Sequence, residues 1–120
     1  MTLNYFDISE FDSPDLKGSG ELMNESFLVM LDRARHIAET PFRITSGYRT
    51  KEHNARLGNS VPDSAHTKGY AVDISAQSSR EKYLIVSALI KAGFNRLGIA
   101  SNFIHVDSDP DKPSDCIWTY

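Results

Sequence analysis

Two stretches of helical periodicity, each ended by a residue that cannot continue it, constrain this chain more than any other feature. From Met23 to Thr40, residues Phe27, Met30, Leu31, Ala34, Ile37 and Ala38 recur at three- and four-residue steps, which puts one apolar stripe on an amphipathic helix that Pro41 stops. Ser78, followed three residues later by Glu81, is a capping-box pattern ahead of Tyr83, Leu84, Ile85, Ala88, Leu89 and Ala92, with Gly93 as the stop. Between and after these helices lie only short runs of strand character. Helical periodicity alternating with such runs predicts one α+β domain over residues 1–120, with a small antiparallel sheet backed by the two helices.

The runs are Phe42 to Thr45, Gly69 to Ser75, Asn95 to Ile99 and Phe103 to Asp107. The last two are separated by Ala100-Ser101-Asn102 and read as an antiparallel pair. In an extended 69–75 segment, Asp73 points away from Val72 and Ile74; in an extended 103–107 segment, Phe103, His105 and Asp107 share one face. The segment Phe11 to Gly20 (FDSPDLKGSG) combines turn-forming residues and reads as an exposed loop. Ser46-Gly47-Tyr48-Arg49-Thr50 reads as a turn whose Thr50 caps a short helix ending near Gly58, and Asn59 to Lys68 is a polar connection.

At 120 residues with 40% hydrophobic content, the chain can bury one core. A net charge of -3 and the lack of a dense Lys/Arg stripe argue against nucleic acid as a partner. The single cysteine, Cys116, has no internal disulfide partner and no second cysteine at metal-ligand spacing. No stretch approaches ~18 consecutive apolar residues, and the amino terminus is acidic where a signal peptide needs a basic segment. The expectation is a monomer without membrane insertion or a signal peptide.

The segment Ser64-Ala65-His66-Thr67-Lys68-Gly69-Tyr70-Ala71-Val72-Asp73 brings an imidazole and a carboxylate together across a glycine-containing bend, and both are common zinc ligands. His105 offers a third, since hydrolytic zinc sites commonly take three protein ligands and leave one position for water. From spacing alone, a His and an Asp seven residues apart are weak grounds, and a surface or hydrogen-bonded histidine is the ordinary outcome.

Together, however, SGYRT at 46–50, SAHTKGYAVDIS at 64–75 and FIHVD at 103–107 resemble the signature of the zinc D-alanyl-D-alanine carboxypeptidase family. That family includes phage endolysins and belongs with lysostaphin-type peptidases and the hedgehog signalling domain. The N-terminal YFDISEFDSPD and the helix before SGYRT also look like its short phage and bacterial members. The resemblance implies that His66, Asp73 and His105 bind zinc on the sheet and that Arg49 lies where it can stabilise an oxyanion. It implies peptidoglycan stem peptides as substrate, and the lack of an export signal fits a lysin held in the cytoplasm until released or a catalytic piece of a larger secreted assembly or phage particle.

One departure concerns proton transfer. Many members place an acidic general base three residues before the last histidine ligand, where this chain has Asn102, and an amide cannot take a proton from water. Asp107 is the substitute, either as the base or as a partner orienting the His105 ring. A serine nucleophile at Ser64 lacks a paired base. His36 and His53 read as ordinary exposed imidazoles, and Tyr48, Tyr70 and Trp118 as packing or groove-lining aromatics. The leading function is thus a zinc peptidase of peptidoglycan, with a non-catalytic, zinc-stabilised binding module of the same fold as the alternative.

Overall fold

The computed structural model describes residues 2–58 and 60–120. The first long helix, α1 (Glu25–Ala38), starts where the Asn24 side chain accepts a hydrogen bond from the Phe27 amide, and ends at Glu39, whose φ of 53° is left-handed. Its apolar stripe, including Phe27, Leu28, Leu31 and Ala34, is buried. The second, α3 (Ser79–Ala92), is capped by Ser78 on the Glu81 amide and ends at Gly93 with φ 113°. The helices pack against each other, and Phe27 meets Phe94 edge-on with ring centroids 5.5 Å apart. A short helix, α2 (Lys51–Arg56), is capped by Thr50 on the His53 amide.

Five strands form one sheet: β1 (Ile44–Ser46), β2 (Ala71–Ser75), β3 (Arg96–Ile99), β4 (Phe103–Asp107) and β5 (Cys116–Thr119), in the order β1-β2-β4-β3-β5. Side-chain alternation divides its two faces. Val72, Ile74, Leu97, Ile104 and Val106 are fully buried in the core shared with α1 and α3. Each contributes roughly 1.5–3 kcal/mol by leaving water, which makes the two-helix face the main source of stability. The opposite face carries Asp73, His105, Asp107, Arg96 and Gly98. Pairing aligns Ser46 with Asp73, Asp73 with His105, His105 with Gly98, and Gly98 with Trp118, so five residues form one row across the sheet.

Two features depart from the sequence reading. The sheet is mixed, because β5 runs parallel to β3 while the other three pairings are antiparallel. The end of β4 lies beside the start of β3, and the 108–115 connection carries the chain past that end of β3, so the next strand must run in the direction of β3. In addition, the segment from Phe11 to Gly20 is not simply exposed: Phe11, Ser13, Ser19 and Gly20 are buried. Asp12 accepts from the amides of Gly18 and Gly20, the Ser13 amide donates to Ser19 Oγ, and 3-10 turns occupy Ile8–Phe11 and Ser19–Leu22. This internal wiring satisfies the backbone and lets the segment bury. Among the described residues, no helix is long and apolar enough to cross a membrane.

Candidate metal centre

His66 sits in a 3-10 turn, Ala65–Lys68, that Ser64 opens by accepting from the His66 amide at 3.3 Å. Gly69 closes it at φ 79°, where a Cβ would stand 2.5 Å from the Leu22 carbonyl oxygen, so backbone conformation and space both require glycine. Asp73 and His105 are cross-strand partners on β2 and β4. Cross-strand pairing therefore fixes two members of the cluster, and a capped turn delivers the third.

The ring orientations are set by the outer nitrogens. Nδ1 of His66 lies 2.8 Å from the Gly47 carbonyl oxygen, which can only accept, so Nδ1 carries the proton and Nε2 turns its lone pair inward. Nε2 of His105 lies 2.7 Å from Asp107 Oδ2 and donates to it, leaving Nδ1 to face inward, 3.0 Å from Asp73 Oδ1. That same Asp73 oxygen is 3.4 Å from His66 Nε2. Adjacent ligands around a tetrahedral zinc with ~2.0–2.1 Å bonds stand ~3.3 Å apart, close to these separations. The ligand atoms of His66, Asp73 and His105 all lie within 4.8 Å of one another, and the three residues are buried. Two imidazole nitrogens and one carboxylate, each ring braced from behind, match the donor set and outer hydrogen bonds of a hydrolytic metal site.

The electrostatics fit a cation-receptive cluster. Burial pushes the His66 imidazole below its ordinary pKa and keeps it neutral. Burial opposes ionisation of Asp73, but hydrogen bonds from His105 and His66 outweigh it and hold the carboxyl well below the usual range. For His105, burial acts downward, and its bonds to Asp107 and Asp73 overcome this to raise its pKa. Asp107 is lowered to about 2: desolvation is outweighed by hydrogen bonds from His105 and Arg96. A metal ion would replace the proton that the two carboxylates favour on His105 Nδ1.

Arg49 stands beside this cluster with Nη2 3.5 Å from Asp73 Oδ2, while Nε donates to Ser46 Oγ at 3.1 Å and Nη1 to Asn54 Oδ1 at 3.3 Å. The N-terminal segment braces its loop. Tyr48 N donates to the Phe11 carbonyl oxygen, Thr50 N to Ser13 Oγ, and Thr50 Oγ1 to Asp15 Oδ2 at 2.7 Å. Gly47 packs against the Phe11 backbone so closely that a Cβ would lie 2.7 Å from Phe11 Cα.

The cluster and Arg49 line a cleft of about 770 Å³ whose walls include Val61, Phe103, Trp118 and Tyr120, with Lys112 among its polar lining. The structure thus gathers Arg49, His66, Asp73, His105 and Asp107 at one cleft. Asn102 is exposed on the turn between β3 and β4, with its carbonyl accepting from the Ala76 amide. His36 is exposed and bonded to the Tyr5 hydroxyl, and His53 lies outside the cluster. Arg96 and the placement of Trp118 against His105 escaped the sequence reading. Their signal was β5, an edge strand with alternating exposure whose Ile117 and Trp118 stand in only four residues, too short a run to show strand periodicity.

A small α+β fold that presents a buried His-Asp-His cluster at the floor of a cleft defines a candidate single-metal hydrolytic protein. A family model described as Peptidase M15 matches residues 4–107, and the chain belongs to that family of zinc-dependent metallopeptidases. β5 lies beyond the matched residues. A search of the curated proteins found no match.

Proposed function

We propose that this chain is a zinc peptidase that hydrolyses a D-Ala-containing or other stem-peptide amide bond of peptidoglycan, in the manner of an endolysin. The observation that carries the reading is the convergence of His66 Nε2, Asp73 Oδ1 and His105 Nδ1 beside the Arg49 guanidinium in a cleft able to take a peptide. Family membership and the resemblance of the SGYRT, SAHTKGYAVDIS and FIHVD segments support the substrate class.

On this reading His66, Asp73 and His105 hold the zinc. Zinc, when bound, supplies a Lewis acid and lowers the pKa of water towards ~7. Arg49, fixed by Ser46, Asn54 and Asp73, directs charged donors at the oxygen that becomes anionic as the amide carbon turns tetrahedral. Asp107 holds the His105 ring in one orientation and one tautomer. Its two oxygens are engaged by His105, Arg96 and the Asp109 amide, which favours orientation over service as the general base. Phe103 and Trp118 offer apolar wall to the peptide.

Incubation of the zinc-loaded chain with purified peptidoglycan and defined muropeptides, followed by mass spectrometry, tests the proposal. Products differing by one hydrolysed amide bond are expected, and their masses separate loss of a terminal D-Ala from internal cleavage. Tight zinc binding with no product under any condition would instead establish the non-catalytic module, the reading that Asn102 at the acid position favours.

A further inference from the structure

The carboxylate that holds His105 is itself held, and by residues outside the His-Asp-His cluster. Arg96, at the start of β3, donates from Nε to Asp107 Oδ1 at 2.6 Å, with the two side chains only 11% and 2% exposed. This is the oxygen that His105 does not use. The guanidinium also donates from Nη1 to the Pro113 carbonyl oxygen in the β4–β5 connection. Its plane is covered by Trp118, whose ring lies 5.0 Å from Arg96 Cζ and 5.6 Å from the His105 ring centroid.

Trp118 reaches both because its strand neighbour is Gly98, opposite His105 on the other side. A Cβ on Gly98 would lie 2.6 Å from Trp118 Nε1, so any side chain there closes the path from β5 to the cluster. An arginine fixed at two nitrogens and stacked on an indole has few other orientations, and a lysine reproduces neither the fork nor the stacking. The result is a chain of contacts from β5 through Arg96 and Asp107 to the outer nitrogen of His105, which fixes where the inward one points.

We propose that Arg96, locked in place by Trp118, is a positioning residue that sets metal affinity by fixing Asp107 against His105. The proposal rests on the reading of His105 as a zinc ligand. Arg96 lines the cleft but hydrogen-bonds to none of His66, Asp73 and His105, so its effect on the metal is expected to pass through Asp107.

The test is zinc affinity, measured by chelator competition on the full chain for the parent, Arg96→Gln, Asp107→Asn and the double variant, with thermal unfolding of each metal-free protein as a folding control. Partners that orient metal ligands commonly contribute ~10–100-fold in affinity. Arg96→Gln is expected to weaken zinc binding by that order, and the double variant to bind like Asp107→Asn alone, since one path is broken once. Affinity of Arg96→Gln within about twofold of the parent, or losses that multiply in the double variant, overturns the proposal. If Arg96→Gln does not fold, Arg96→Lys decides: a several-fold weakening is expected, and parental affinity overturns it. A parent chain that binds no zinc would instead sink the metal-site reading itself, a result distinct from both.

Discussion

Asp107 Oδ2 lies 2.7 Å from Nε2 of His105, two residues back along the same strand, so one side chain braces the other without leaving β4. Residues at i and i+2 of a strand share a face, and here that shared face turns the outer nitrogen of the ring to a carboxylate and the inner one to Asp73. Asp107→Asn keeps the shape of the side chain but removes its charge. The expected outcome is zinc affinity weakened ~10–100-fold, with turnover at saturating zinc largely retained. Normal zinc affinity with turnover reduced ~100-fold or more would assign Asp107 to proton transfer instead.

His66→Ala removes an inward nitrogen from the cluster and leaves the Gly47 carbonyl without its donor. Elemental analysis of the purified variant should show zinc well below one per chain, whereas the parent should carry one. Stoichiometric zinc in the variant would remove His66 from the ligand set.

Much of this site was legible in the sequence, for identifiable physical reasons. Alternation turned Asp73 away from Val72 and Ile74 along 69–75 and put His105 on one face with Phe103 and Asp107 along 103–107, though not the pairing of the two strands, and the capping patterns at Ser78 and Gly93 marked the ends of α3. The meeting of His66 with them came from family resemblance, because the seven-residue spacing alone does not specify a 3-10 turn closed by a left-handed glycine. What local pattern could not supply was non-local: the parallel addition of β5, the stacking of Trp118 on His105, and the docking of Phe11 to Asp15 beneath the Arg49 loop. Arg96 and Asp107 stand opposite each other only once β3 and β4 are in register, which neither strand declares by itself.

Gly98 should be intolerant of a side chain. Alanine there brings a Cβ to 2.6 Å from Trp118 Nε1 and 2.9 Å from a Tyr120 ring carbon, so the aromatic residues of β5 and its end must move off the sheet. Overpacking of this kind typically costs ~1–3 kcal/mol. Gly98→Ala is therefore expected to lower the thermal midpoint and shift tryptophan fluorescence, Trp118 being the sole indole. An unchanged spectrum and midpoint would show that the contact is not tight.

Acid stability carries a sign that follows from Asp107. Its folded pKa of about 2 lies below the ordinary 3.8, so its contribution is complete above the unfolded value and is lost as pH falls through the folded one. In metal-free protein, the stability gap between the parent and Asp107→Asn should widen as pH falls through the raised His105 pKa, because Asp107 favours the imidazolium, and close between about pH 4 and about pH 2. Denaturant midpoints measured across that range give the gap directly. A gap that closes by about pH 6 would show that Asp107 does not stay ionised into the acid range in the folded chain.

Arg49 is expected to govern turnover while leaving the metal in place. Its guanidinium reaches Asp73 only at 3.5 Å, through the oxygen that the histidines do not share, and its other nitrogens are taken up by Ser46 and Asn54. Removing it therefore deletes a charged donor beside the cluster without deleting a ligand. Loss of one oxyanion donor commonly costs ~100-fold or more in turnover, about 3 kcal/mol of transition-state stabilisation. Arg49→Ala should cleave muropeptides at about 1% of the parental kcat or less, with zinc content close to one per chain. Arg49→Lys should recover only part of the rate, since an ammonium supplies the charge but not the planar fork held by Ser46 and Asn54. Parental turnover in Arg49→Ala would exclude the oxyanion role, and loss of zinc in that variant would show that Arg49 acts by holding Asp73 in place.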